Sequence, residues 1–204
     1  MPTSSATLRE EIVRTALKML ELGLVVGSVG NVSARDPSDS NTIYIKPSGL
    51  PYARLTPEDI MLIDLEGRVL QGRLKPSSEW RLHATIYRAR PEVHAVVHTH
   101  SVEAQAWSFL GEELPARTEE LEIFVEGSVR TAQYAPSGTQ ELADRALEAL
   151  LGRKAVLLAR HGVVGVGTSL EEALTICQIV ERQAHVAWLL RLAGEKRAWE
   201  PFNR

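Results

Sequence analysis

Helical and extended segments alternate along this chain, yet many connections between the extended ones are too short to hold a crossover helix. Parallel neighbours need crossovers of a dozen residues or more, whereas antiparallel neighbours can be joined by a tight turn. The alternation therefore predicts an α/β fold: a mixed, largely antiparallel sheet covered by helices. "TLREEIVRTALKMLELG" (7–23) has apolar residues at helical spacing, with Thr7 and Glu10 in capping-box positions and Gly23 as its stop. Two glycines break the pattern in "VVGSVGNVSARD" (25–36). "NTIYI" (41–45) reads as a strand ending in the turn "KPSG" (46–49), and "TPEDI" (56–60) as a single helical turn. "MLIDLEGRVLQG" (61–72) reads as a hairpin about Glu66 and Gly67.

Further along, "SSEWRLHATIYRAR" (77–90) predicts a helix stopped by Pro91, and "VEAQAWSFLG" (102–111) predicts another. "LEIFVEG" and "SVRTAQY" (121–134) predict two strands, and "SGTQELADRALEALLG" (137–152) a capped helix. "KAVLLAR" and "GVVGVG" (154–167) predict a strand pair about His161 and Gly162. The last helix, "SLEEALTICQIVERQAHVAWLLRLAG" (169–194), has Thr168 and Glu171 in capping-box spacing. No repeat, linker or low-complexity segment divides the chain, so residues 1–204 are expected to form a single domain.

Composition narrows the function. The 23 basic residues are scattered among 26 acidic ones, with no basic stripe interleaved with aromatics, which argues against a nucleic-acid partner. Cys177 is the only cysteine, so no internal disulfide forms; it reads as a small core residue in a reducing compartment. "MPTSSATLREE" lacks the apolar core of a signal peptide, and no uncharged apolar run reaches about 18 residues. A cytoplasmic protein that does not engage a membrane is expected.

"VHAVVHTHS" (93–101) holds three of the six histidines within one apolar, valine-rich strand. Side chains two apart on a strand share a face, so His98 and His100 project together, and His94 has the same parity. Such a pair offers two metal ligands on a rigid element, and a catalytic zinc site takes three protein ligands from His and carboxylates. Glu79, in the first turn of the preceding helix, and His161, at a glycine-permitted turn, are candidates to complete it. His83 follows Glu79 at i+4, so Glu79 with His83 is an alternative ligand set, and a packed or hydrogen-bonded His83 is the plainer reading. "VGNVS" (29–33), "PSG" (47–49) and the helix opening "PSSEW" (76–80) can turn backbone N–H groups and hydroxyls toward an anion. Taken singly, each is an ordinary turn or cap.

"GNVSARD", "IKPSGLPYARLTPEDI", "KPSSEWRLHATIY", "PEVHAVVHTHS" and "LLARHGVVGVG", in that order, resemble the class II aldolase/adducin family, nearest its fuculose-phosphate aldolase branch. The resemblance runs from about residue 7 to about residue 193. It implies a three-layer α/β/α sandwich and a zinc site of Glu79, His98, His100 and His161, with Mn2+ or Co2+ as alternatives. It also implies a substrate phosphate site of Gly30, Asn31, Ser48, Gly49, Ser77 and Ser78, with His94 a bystander and His83 not a ligand. The implied reaction is cleavage of a ketose 1-phosphate, such as L-fuculose 1-phosphate, into dihydroxyacetone phosphate and a small aldehyde. Glu79 would leave the metal to serve as the base, and the enzyme would be a homotetramer with sites at subunit interfaces. An aspartate replaces this glutamate in the family's epimerase branch; decarboxylase and dehydratase relatives, and metal-free adducin-like interaction domains, are the other family outcomes. Two departures stand out. Where the branch carries a tyrosine from the neighbouring subunit this chain has "ARTEE" (116–120), so Glu119 or Glu120 is expected at the aldehyde end. No tyrosine follows Tyr134, where the branch has a catalytic one in its tail.

Overall fold

The computed structural model describes residues 5–194. Its strands are β1 (Asn31–Asp36), β2 (Asp39–Ile45), β3 (Met61–Asp64), β4 (Val69–Gln71), β5 (Ala95–Thr99), β6 (Thr131–Ala132), β7 (Ala155–Leu158) and β8 (Gly162–Gly167). Its helices are α1 (Ser5–Glu21), α2 (Trp80–Ala89), α3 (Val102–Ser108), α4 (Gln140–Leu150) and α5 (Leu170–Leu192). The strands form one sheet in the order β4-β3-β2-β1-β5-β8-β7-β6, antiparallel throughout except for the β6–β7 pair. The expected mixed, largely antiparallel sheet is what forms.

Each strand sends alternate residues to opposite faces, and two cores result. Val32, Ala95, Val97, Leu157 and Val163 pack with α1, α3 and α5, while Ile43, Val96, Val156 and Val164 pack with α2 and α4. Helices thus cover both faces, giving the three-layer sandwich. β5 is central, flanked by β1 and β8, so the valine-rich run is buried on both sides. His98 shares the parity of Val96 and points under α2. Cys177 is a fully buried core residue against Val97, and burial pushes its thiol up to about 12. Among the described residues no helix is long and apolar enough to cross a membrane.

Several elements differ from expectation. "LEIFV" coils into a π-helical turn instead of a strand (Leu121–Val125). Its two fully buried residues, Leu121 and Val125, lie four apart and join the core beneath α5, whereas a strand would turn Ile123 to the same face, and Ile123 is exposed. Of "SVRTAQY" only Thr131 and Ala132 form a strand, while Val129 makes an isolated bridge with Leu114. The glycine-broken segment contains β1, whose Asn31–Asp36 are all buried. Helix α1 already includes Ser5, so Thr7 lies inside it. In α5 the cap is Ser169, accepting from Glu172 N at 3.1 Å, one residue beyond the predicted pair. Glu79 occupies the N-cap position of α2, just ahead of its first turn. The tail "RAWEPFNR" (197–204) lies outside the described residues.

Candidate active site

The central position of β5 assembles the site. Asn31 on β1 is paired with His98, and Val164 on β8 flanks it from the other side. The β7–β8 turn brings His161 back over the end of β5; a Cβ on Gly162 would sit 2.2 Å from Thr99 O, so only glycine permits this approach. Gly30, at φ +76°, lets the preceding loop drop onto β5, where a Cβ would lie 2.7 Å from His98 O. Glu79 enters from the α2 N-terminus, its backbone N–H donating to Ser77 Oγ at 3.3 Å.

These four elements bring together Glu79, His98, His100 and His161. One ligand atom from each lies within 4.8 Å of all the others. His98 Nε2 is 3.0 Å from His100 Nε2, 3.3 Å from His161 Nε2 and 3.3 Å from Glu79 Oε2, while His161 Nε2 is 3.4 Å from Glu79 Oε1. His98 Nδ1 lies 3.0 Å from Val163 O and can only donate to it, so Nε2 carries the lone pair. That backbone contact is the kind that fixes the tautomer and orientation of a metal-binding imidazole. Burial and the neighbouring imidazoles lower His98 to about 3, against a raising effect of Glu79, and burial lowers His100 to about 4, so both rings are neutral at pH 7. Converging imidazole nitrogens and a carboxylate oxygen suit a divalent cation, and Glu79, His98, His100 and His161 would hold it.

Glu79 is 5% exposed, and burial alone would raise its pKa. The opposing effects win: His98, His161, and hydrogen bonds from Asn31 Nδ2 (2.9 Å) and Ser137 Oγ (3.0 Å) bring it to about 2. Glu79 is therefore a carboxylate at neutral pH. His83 does not reach the cluster. It is fully buried beneath α2 and engages Asn31 and Ser33, which sets aside Glu79 with His83 as a ligand pair. His94 lies exposed outside β5.

The anion-loop residues surround the same helix end. Pro47 and Pro76 form an isolated bridge, with Ser48 N donating to Lys75 O at 2.9 Å and Ser77 N to Lys46 O at 3.1 Å. Gly30, Asn31 and Ser77 are buried against the cluster, whereas Ser48, Gly49 and Ser78 are exposed beside it. Glu119 and Glu120 do not join this assembly within one subunit. Both are exposed ahead of the π-turn, and Glu120 shares a small cleft with Ile179 and Arg182 of α5.

Two further residues at the site lie outside the sequence expectations. Lys46 is 1% exposed and has no carboxylate partner among the described residues; its Nζ donates to Ser28 O (3.3 Å) and Pro47 O (3.2 Å) and sits 4.7 Å from the Tyr52 ring centre. Burial lowers it to about 8. Ser137, from the loop before α4, reaches Glu79 from 58 residues away. Its signal was a second "PSG" in "APSGT", matching "KPSGL".

Residues 10–188 match the family model described as the class II aldolase and adducin N-terminal domain. The chain is 40% identical over 189 residues to the 5-deoxy-D-ribulose 1-phosphate aldolase of Bacillus thuringiensis serovar kurstaki, covering 93% of this chain and 88% of that one. It is 41% identical over 174 residues to the L-fuculose phosphate aldolase of Escherichia coli K12, covering 85% and 79%. A solved structure of an L-fuculose 1-phosphate aldolase superposes with a TM-score of 0.92 at 34% identity, covering 98% and 93%.

Proposed function

This chain belongs to the class II aldolase and adducin family, and on that premise we propose that it is a metal-dependent aldolase, a lyase acting on ketose 1-phosphates. The observation that carries the reading is the cluster of Glu79 with three imidazoles, set at the helix end where the Ser77 and Pro47 loops meet. We assign Zn2+ as the ion, with Mn2+ or Co2+ able to substitute. When bound, the ion supplies Lewis acidity to the substrate carbonyl, where negative charge develops.

The chain's own residues do the rest. Gly30, Asn31, Ser48, Gly49, Ser77 and Ser78 receive the phosphate, with Lys46 as the buried cation behind the loops. Fixing the phosphate there holds the reacting carbons beside Glu79. In cleavage, the C4 hydroxyl gives its proton to the carboxylate at the aldehyde end, the C3–C4 bond breaks with its electron pair moving toward the C2 carbonyl oxygen, and Glu79, having taken a proton from water, delivers it to C3; the aldehyde-end carboxylate then returns its proton to water. The products are dihydroxyacetone phosphate and an aldehyde. L-Fuculose 1-phosphate would leave a three-carbon hydroxyaldehyde and 5-deoxyribulose 1-phosphate a two-carbon aldehyde without a hydroxyl, so the aldehyde end decides between them. We place Glu119 or Glu120 of a neighbouring copy at that end, in a cytoplasmic homotetramer with sites between subunits.

The test is proton exchange on dihydroxyacetone phosphate in deuterated water, followed by NMR with and without chelator. Metal-dependent, stereospecific exchange at the hydroxymethyl carbon is expected. A metal-loaded, folded protein that exchanges nothing would move the assignment to epimerase, decarboxylase or dehydratase chemistry. Protein that binds no divalent ion would point to a non-catalytic interaction domain.

A further inference from the structure

Behind Glu79 runs a continuous file of buried polar groups. Asn31 Nδ2 donates to Glu79 Oε2 at 2.9 Å, and Asn31 Oδ1 faces His83 Nε2. His83 Nδ1 lies 2.6 Å from Ser33 Oγ, and Ser33 Oγ lies 2.9 Å from Tyr87 Oη. Asn31, Ser33, His83 and Tyr87 are all buried, His83 and Ser33 completely. Two elements contribute, β1 and α2.

The direction of every bond follows from one end. A carboxylate only accepts, so the Asn31 atom facing Glu79 is the amide nitrogen, and Oδ1 is turned to His83. His83 Nε2 must then carry the hydrogen, which leaves Nδ1 as an acceptor for the Ser33 hydroxyl. Ser33 in turn accepts from Tyr87. The opposite tautomer would present a bare Nε2 to Asn31, flip the amide and set its oxygen against the Glu79 carboxylate. Burial holds His83 neutral, near 3, so the ring has one donor and one acceptor nitrogen.

We propose that His83 is a positioning residue for the metal centre: as the Nε2–H tautomer it locks the Asn31 amide, which holds Oε2 of Glu79 at the ligand cluster. It touches neither ion nor substrate. The inference rests on Glu79 being a metal ligand, the reading given above, and concerns what keeps that ligand in place. Supporting groups of this kind are worth about 10- to 100-fold in metal affinity or activity.

Two readouts test it. Long-range proton–nitrogen NMR on isotope-labelled, metal-free wild-type protein should show His83 as a neutral ring protonated at Nε2, its ring signals assigned by correlation to the His83 backbone. A ring protonated at Nδ1, or a charged imidazolium, would overturn the proposal, and the measurement does not depend on whether any substitution folds. Competitive chelation then gives metal affinity. His83→Phe should weaken it by about 10- to 100-fold, while His83→Gln, with an amide donor for Asn31 and an oxygen for Ser33, should stay within a few-fold of wild type. Undiminished affinity in His83→Phe, or equal loss in both variants, counts against it. Wild-type protein that binds metal but leaves dihydroxyacetone phosphate unexchanged would sink the aldolase reading alone, with the tautomer still deciding this one.

Discussion

A carboxylate as buried as Glu79 stays ionised only where its partners outweigh the loss of water. His98, His161, Asn31 and Ser137 do so here. Removing the charge while keeping the shape isolates its chemical role. Glu79→Gln should still load with metal through the three histidines at saturating ion, though more weakly than wild type, while proton exchange on dihydroxyacetone phosphate by the loaded variant falls by about 10²- to 10⁴-fold. Full exchange in that variant would take Glu79 out of the reaction. Lys46 makes a different prediction. Its folded pKa, about 8, lies below the ordinary 10.5, so between those values the unfolded chain binds more protons and stability rises with pH. Lys46→Met should therefore be more stable than wild type near pH 7, with the gap closing between pH 8 and 10.5 in urea titrations. The same variant should bind inorganic phosphate more weakly at pH 7.5, and wild-type affinity should drop toward the variant's as pH passes 8. Unchanged phosphate affinity would exclude Lys46 from the anion site. At this scale the sequence is readable where chemistry is local. His98 and His100 announce themselves because parity alone aligns them. Lys46 and Ser137 do not, since their importance comes from what the fold brings near them over 18 and 58 residues.

The elements that could be read in advance are those whose pattern has one solution. The hairpin about Gly67, the β7–β8 pair and the five helices each combine a periodic run with a turn or cap that agrees with it. β1 was hidden among glycines because its neighbours β2 and β5, not its own composition, make Asn31–Asp36 a strand. "LEIFV" misleads in the opposite way: β-branched and aromatic residues favour a strand, but burying Leu121 and Val125 together outweighs that preference, while Ile123 and Phe124 stay about half exposed. Close approaches are likewise invisible before folding. The β7–β8 turn is seated on β5 only because Gly162 has no side chain. Gly162→Ala would press a Cβ to 2.2 Å from Thr99 O, and overpacking of this kind costs about 1–3 kcal/mol or more. Thermal unfolding should show a lowered midpoint, and metal content should fall because His161 is moved with the turn. Wild-type metal content in a destabilised variant would mean that His161 is not positioned by this contact.

For the whole molecule, the separation that matters is between the metal cluster and Glu119 and Glu120. The cluster lies on the α2 and α4 side of the sheet, whereas Glu120 rests against α5 on the other side. A single copy does not bring them together in this arrangement; in the proposed tetramer a neighbouring copy would. Directly after the two glutamates, Ile123 and Phe124 are 52% and 48% exposed, an apolar surface of the sort that association covers. If Glu119 or Glu120 serves the site of the next subunit, Glu79→Gln and the double variant Glu119→Gln with Glu120→Gln are each defective, but in different halves of a shared site. Subunits dissociated, mixed in equal amounts and reassociated would rebuild intact sites wherever a good Glu79 meets a good Glu119–Glu120 pair. With random assembly of a closed ring that is about a quarter of all sites, so about a quarter of the wild-type cleavage rate should return. Sedimentation run alongside should report a tetramer before and after mixing. Complementation would show that the site is shared between copies. A mixture that stays as inactive as its parents, while still tetrameric, would put Glu79 and the two glutamates to work within one subunit, and a double variant as active as wild type would leave the glutamates on the surface.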